Sequence, residues 1–442
     1  MPSAPHSMPL KNAKNRVKEG LSMSEESLKE REAQIREQYK DVPPAKMIGM
    51  IAGQGYKDAM AAKEAGEPVG WCASNFPQEI LETLDIKVVY PENHAAAVSA
   101  KGGGERMCNV AEDSGYSNDI CAYARISMAY TEETDIPELN MPQPDFVACC
   151  NNICNCMIKW YENLARDLNV PFIMIDVPYN NEYDAGQDRV DYLKGQFDVA
   201  IKQLEEISGK KWDQDKFEEV MEISDRTGRA WLDATSYSKY TPSPFSGFDI
   251  FNHMAVAVCA RGKLESAIAF ERLAEEFDEK VKRGESGFKG EEKYRIIFEG
   301  IACWPHLRHT YKGLQGQGVN VVGTVYAGAF GYVYNNTREL MEAYCATPNA
   351  ISYERALDMR LKLAENNNVD GMLVHINRSC KQWSAISYEM ERDFREKTGL
   401  PTATFDGDQA DPRNFSEAQY DTRVQGLIEV MEANKQKKSK EA

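Results

Sequence analysis

The chain has 442 residues, 42% of them hydrophobic, and a formal net charge of −17. That length suits two or three domains with full cores. The acidic surplus argues against nucleic acid and against an anionic membrane surface as partners, and it favours solubility.

The first residues, "MPSAPHSMPLKNAKNRVKEG", are polar and lack the apolar centre of a signal peptide. No apolar run approaches the roughly 18–20 residues needed to span a bilayer. The sequence therefore reads as a cytoplasmic protein. Residues 1–45 carry charged, helix-spaced segments and read as a helical arm, with a capping signal at Ser22 or Ser24 in "SMSEESL".

From residue 46 the texture changes. "EPVGWCAS" (67–74), "IKVVYPE" (86–92), "PDFVACCN" (144–151) and "VPFIMIDVP" (170–178) are short apolar runs bounded by Pro, Gly, Asn or Asp, and read as buried strands. Helical patterns such as "NFPQEILETL" and "MIKWYENLARDL" lie between them. Residues 188–290 are mostly amphipathic helix, with a Pro-rich bend at "YTPSPFSGFDIFNH" and an exposed linker expected at "KRGESGFKGEEK" (282–293). Strand-like runs return at "YRIIFEGIAC" (294–303), "VNVVGTVYAG" (319–328), "VDGMLVHINRSC" (369–380) and "LPTATFDGD" (400–408). The expectation is an α/β protein: two doubly wound parallel-sheet domains (46–187 and 291–442) joined by the helical segment 188–290, with the arm in front.

Eleven cysteines in a reducing compartment do not suit a disulfide framework. Four crowd into "CCNNICNC" (149–156), where packing, a disulfide, a zinc knuckle and an iron–sulfur cluster are all open readings. Burial as small hydrophobes is the plain reading for Cys108, Cys259 and Cys345. Ligands of open α/β sheets sit beyond the carboxyl ends of the strands. Cys72 and Ser74, Cys149, Cys150 and Cys154, Cys303, Cys380, and Asp406 and Asp408 all fall at such ends. No second matched pair supports zinc, and no ferredoxin-type run is present. A cluster assembled from distant single cysteines stays open and needs several loops to converge.

Other motifs fall away. There is no Walker A sequence, no dinucleotide fingerprint and no nucleophile elbow. "GGGER" (102–106) reads as a flexible loop before it reads as a phosphate cradle. His375 reads as a hydrogen-bonded core histidine. Asp406 and Asp408 near Arg413 read equally as an ion-paired turn or a site.

"DICAYARISMAY", "PDFVACCNNICNCMIKWYENLARDLNVPFIMIDVPYN", "SGFDIFNHM", "FEGIACWP", "VHINRSCKQWS" and "FDGDQADPRNFSEAQYDTRVQGL" closely resemble the alpha subunit of oxygen-sensitive (R)-2-hydroxyacyl-CoA dehydratases, over roughly residues 66–435. The resemblance implies a [4Fe–4S] cluster with one iron free of protein sulfur. It carries Cys121, Cys154 and Cys380 over as ligands and puts Ser74 beside the open iron. Cys149, Cys150 and Cys156 become supporting or packing residues. The implied partners are a related beta subunit, with room for a flavin there, an (R)-2-hydroxyacyl-CoA substrate, and a homodimeric iron–sulfur ATPase that supplies the electron.

The implied reaction is syn-elimination of water to a 2-enoyl-CoA. The β-proton is not acidic, so one electron added to the thioester carbonyl makes a ketyl radical anion that expels the α-hydroxyl. The stretch between "RISMAY" and "MPQPDF" is shorter than expected for the 2-hydroxyglutaryl enzymes, which favours lactoyl-CoA over 2-hydroxyglutaryl-CoA. A benzoyl-CoA-reductase-type subunit and a non-catalytic zinc or scaffold subunit are the competing readings.

Overall fold

The computed structural model describes residues 23–441. Residues 1–22, and with them the Ser22 capping signal, lie outside the described residues. Residues 23–42 hold the helix Met23–Gln38, crossed by an Arg36–Glu32 ion pair at 3.0 Å one turn apart. Residues 43–442 make a second unit that contains both sheets.

All eight runs read as strands are strands: β1 Val69–Cys72, β2 Lys87–Val89, β3 Phe146–Cys150, β4 Phe172–Ile175, β5 Tyr294–Glu299, β6 Val319–Gly323, β7 Gly371–Asn377 and β8 Thr402–Gly407. They form two four-stranded sheets in the orders β2-β1-β3-β4 and β6-β5-β7-β8. Every pairing is parallel. The inner strands β1, β3, β5 and β7 are buried at every position, while the edge strands β2, β4 and β8 keep half-buried ones. Burial at every position explains why the inner strands read as short, mostly apolar runs rather than alternating ones.

Chain direction across each sheet reverses between its two inner strands, and that reversal leaves a crevice at their carboxyl ends. Residues 188–290 are largely four helices, Gln187–Ser208, Gln214–Ser236, Gly247–Cys259 and Leu264–Arg283. The run 282–293 is mostly exposed, as expected, with one anchored point. Phe288 is buried, and a Cβ on Gly287 would collide with the Pro244 carbonyl at 2.2 Å.

"GGGER" opens the helix Gly104–Asp113 rather than forming a free loop. Gly104 is needed for close approach, because a Cβ there would stand 2.3 Å from the Ala410 carbonyl oxygen. The Ser99 hydroxyl donates to that same oxygen at 2.7 Å. The loop after β8 is thereby held against the first sheet's helices.

Candidate active site

Ser74, Cys121, Cys154 and Cys380 line one cavity, of about 90 Å³. Their positions span more than 300 residues of chain, and the fold brings them together. Ser74 lies two residues past β1, Cys154 four past β3 and Cys380 three past β7; Cys121 directly precedes the helix Ala122–Ala129. The carboxyl ends of both sheets' inner strands thus feed one crevice. Ile301, beyond β5, and Gln409, beyond β8, complete that end of the lining. The wall is aromatic and apolar, with Tyr123, Met157, Trp160, Tyr326, Phe330 and Trp383. A second cavity, about 200 Å³, shares Ser74, Glu92, Tyr123, Tyr326 and Phe330 and runs along Ala96, Ala97, Met254 and Val258.

All eleven cysteines are unpaired. Of the crowded four, Cys149 and Cys150 are fully buried and do not line the cavity. The Cys150 thiol donates to the Asn75 carbonyl and to Asn152 Oδ1, each at 3.0 Å. Cys156 is half-buried, outside the lining, and its charge would oppose that of Cys121, Cys154 and Cys380.

Burial raises the pKa of the three cavity thiols. For Cys121, burial and then its neighbours Cys156, Cys380 and Cys154 push the thiol well up. Burial dominates for Cys154 too, followed by Cys156 and Cys380. Cys380 is pushed up to about 11, again chiefly by burial. Backbone amides oppose this at each sulfur: Ala124 at Cys121, Met157 and Cys156 at Cys154, Trp383 and Gln382 at Cys380. These are N–H groups of starting helical turns, which favour negative charge.

Thiols so placed release their protons to a metal rather than to water. Three soft donors with amide N–H groups aimed at them fit an iron–sulfur cluster. Buried N–H donors on the lining add to the fit, since Trp160 Nε1 and Trp383 Nε1 have no hydrogen-bond partner in the protein. Among the described residues no group of three or more His, Cys, Asp or Glu could hold a single metal ion. A cluster asks for wider spacing, because each thiolate binds a different iron.

The loops are fixed by neutral and charged networks. Asn75 donates to Asn152, which donates to the Tyr344 carbonyl at 3.0 Å, while Thr347 and Asn349 donate to the carbonyls of Asn152 and Ile153 at 2.9 Å. Across the crevice, Asp408 accepts from the backbone amides of Ser379 (2.8 Å), Ala410 (3.0 Å) and Asp411 (3.1 Å). Fully buried Arg125 joins Glu112 at 2.6 Å to Asp411 at 2.9 Å. Asp406 and Asp408, left open between an ion-paired turn and a site, do not pair with Arg413, which also pairs with Asp411 and Glu112; Asp408 is occupied by amides and Asp406 pairs with Arg378. His375 is a core histidine: it bonds the Ile301 carbonyl through Nδ1 at 2.6 Å, and burial lowers its pKa to about 4. Gly300, at φ +119°, makes the turn that delivers Ile301.

Glu92 was not singled out in the sequence. It is a buried carboxyl on the lining, and burial raises its pKa. Its Oε1 accepts from the Ser74 amide at 2.9 Å and the Ser74 hydroxyl at 3.1 Å; its Oε2 accepts from Tyr161 at 2.9 Å. In "VVYPENH" it looks like an ordinary first-turn acid after a helix-starting proline, so local pattern gives no signal.

The model of the 2-hydroxyglutaryl-CoA dehydratase D-component family matches residues 73–431. The chain belongs to this family. It is 61% identical to the (R)-phenyllactyl-CoA dehydratase alpha subunit of Clostridium sporogenes, over 86% of this chain and 93% of that one. It is 51% identical to the (R)-2-hydroxyisocaproyl-CoA dehydratase alpha subunit of Clostridioides difficile, over 88% and 96%. Identity to the lactoyl-CoA dehydratase alpha subunit of Anaerotignum propionicum is 41%, over 88% and 96%. These relatives are named as dehydratases, that is, hydro-lyases of 2-hydroxyacyl-CoA thioesters. Among the described residues no helix is long and apolar enough to cross a membrane.

Proposed function

We propose that the chain is the iron–sulfur alpha subunit of a cytoplasmic (R)-2-hydroxyacyl-CoA dehydratase. In this reading it eliminates water to a 2-enoyl-CoA by way of a ketyl radical anion of the substrate. The observation that carries the reading is the convergence of Cys121, Cys154, Cys380 and Ser74 on one aromatic cavity. Cys121, Cys154 and Cys380 would hold a [4Fe–4S] cluster, which when bound supplies one-electron transfer and, at its open iron, a Lewis acid.

The chain's own residues do the rest. The aromatic wall excludes water and accepts an apolar acyl group. Ser74 spends its hydrogen on Glu92, which leaves the hydroxyl oxygen as an acceptor toward the cavity. Glu92, kept protonated to higher pH by burial, pairs with Ser74 as the group that can hold or give up a proton at this wall. A related beta subunit completes the enzyme, and an ATP-dependent iron–sulfur activator delivers the electron. The two sheets are read as doubly wound domains joined through the helices of 188–290.

For the acyl group we favour an aryl or branched 2-hydroxyacyl chain over lactoyl. Both the aromatic lining and the higher identity to the phenyllactyl and hydroxyisocaproyl relatives support this. The test is anaerobic co-purification with the beta subunit, iron and sulfide analysis, and assay with activator and ATP. Expected are about four irons at this subunit and faster dehydration of (R)-phenyllactyl-CoA than of (R)-lactoyl-CoA. A folded, iron-free complex would end the reading, and net reduction without water loss would favour the benzoyl-CoA-reductase alternative.

A further inference from the structure

Gln409 is fully buried in the turn after β8. Its side-chain amide reaches two places at once. Nε2 donates to Cys121 Sγ at 3.4 Å and to Ser379 Oγ at 3.0 Å. Ser379, the residue before Cys380, accepts in addition from the Ala122 amide at 2.9 Å, and its own amide donates to Asp408 at 2.8 Å. One short bracket therefore ties the Cys121 loop, the Cys380 loop and the end of β8. The Asp408 anchor fixes the bracket's base. The only atom of the Gln409 amide without a partner is Oε1.

We propose that Gln409 is a positioning residue that holds the Cys121 sulfur by an N–H···S hydrogen bond and so raises the reduction potential of the group bound there. This rests on the reading of Cys121 as a cluster ligand. The physical reason is charge. A donor bonded to a ligand sulfur gains strength as electron density on that sulfur grows, so it stabilises the reduced state more than the oxidised one. Hydrogen bonds to cluster sulfurs are among the levers that set such potentials. The bracket also explains why an amide stands here: an acid in its place would set a negative charge against the thiolate, and an alkyl side chain would leave Ser379 and Cys121 uncoupled.

The test uses the whole alpha–beta complex, purified anaerobically. Gln409→Met keeps length and removes the donor. Expected are unchanged iron and sulfide and a reduced-to-oxidised ratio about tenfold lower at fixed potential, equivalent to about 59 mV for a one-electron couple. One exchangeable-proton coupling should disappear from the cluster's electron–nuclear double-resonance spectrum in D2O comparison. Ser379→Ala, which frees the amide without removing it, should shift the ratio the same way by less, and it decides the matter alone if Gln409→Met fails to fold. Full iron with parental potential and couplings in both variants overturns the inference while the cluster reading stands. An iron-free parent complex removes both.

Discussion

The two sheets share one strand order but serve the crevice differently. The first sheet brings a crowd of sulfur to its carboxyl end, with Cys149 and Cys150 closing β3 and Cys154 and Cys156 just beyond, yet only Cys154 lines the cavity. The second sends a single thiol, Cys380, from a loop held by Asp408. The first sheet's loop is held by uncharged amides, Asn75, Asn152 and Asn349, and the second's by carboxylates and buried arginine. Crowding of cysteines along the chain is thus a poor guide to which of them lines the cavity: the isolated Cys121, from a loop before a helix, does, and Cys156 in the crowd does not.

The sharpest way to break that comparison is to remove one thiol from each half. Cys154→Ala and Cys380→Ala should both abolish iron binding and reduce dehydration to background. Cys108→Ala, a change at a fully buried site outside the lining, should keep iron and activity and cost about 1 kcal/mol or less. Iron analysis and visible absorption after anaerobic purification decide it. Full iron in Cys154→Ala would remove that residue from the ligand set.

Next in size is the asymmetry at Ser74 and Glu92, which only the first sheet contributes. Ser74→Ala and Glu92→Gln should lower kcat by roughly 10²–10⁴-fold, the usual range for a positioned acid or base, with iron retained. Equal loss of kcat in both variants, with no further loss in the double variant, is expected for two groups acting as one. Additive losses would separate their roles.

Each half also buries an arginine behind its aromatic wall. In the second, Arg360 pairs with Glu299 at 2.6 and 3.1 Å, and its cation lies 5.3 Å from the Trp383 ring. In the first, Arg261 lies 4.5 Å over Tyr332 and bonds the Tyr344 hydroxyl at 3.1 Å, while Glu79 accepts from Tyr344, Tyr334 and Ser224. Arg360→Ala strands a buried carboxylate and should cost about 3–5 kcal/mol. The double variant Arg360→Met, Glu299→Leu should recover most of it. Denaturant melts check both, and a single variant as stable as the parent would contradict the burial of this pair.

Much of this was legible in the sequence and some was not. Short apolar runs bounded by breakers mark all eight strands, inner and edge alike. The convergence of Cys121, Cys154 and Cys380 came through family resemblance, since no spacing rule links residues so far apart. Glu92, Gln409 and the aromatic wall carried no local signature, because their roles depend on what the fold sets opposite them. The sequence left Asp406 and Asp408 open between an ion-paired turn and a site, and the turn geometry shows Arg413 paired with Asp411 and Glu112 instead, with Asp408 buried among backbone amides.

The smallest expected effect concerns one buried histidine in each half. His94 bonds the Leu139 carbonyl at 2.8 Å, and His375 bonds that of Ile301. Burial lowers each pKa from 6.5 to about 4. In the unfolded chain both take up a proton near pH 6.5, while in the folded chain neither does until about pH 4. Folded stability is therefore intact above pH 6.5 and falls as the pH drops through that window. At pH 5 each histidine should cost about 2 kcal/mol relative to neutral pH. His253, also lowered to about 4 by burial, titrates with them, so His375→Gln removes one of three titrations: its stability should start lower at pH 7 and then decline about two-thirds as steeply toward pH 5. Below pH 4.5 protonating carboxylates add their own losses, so the comparison belongs above that value. A variant that keeps the parent's full slope would mean that His375 is not among the groups that take up the proton.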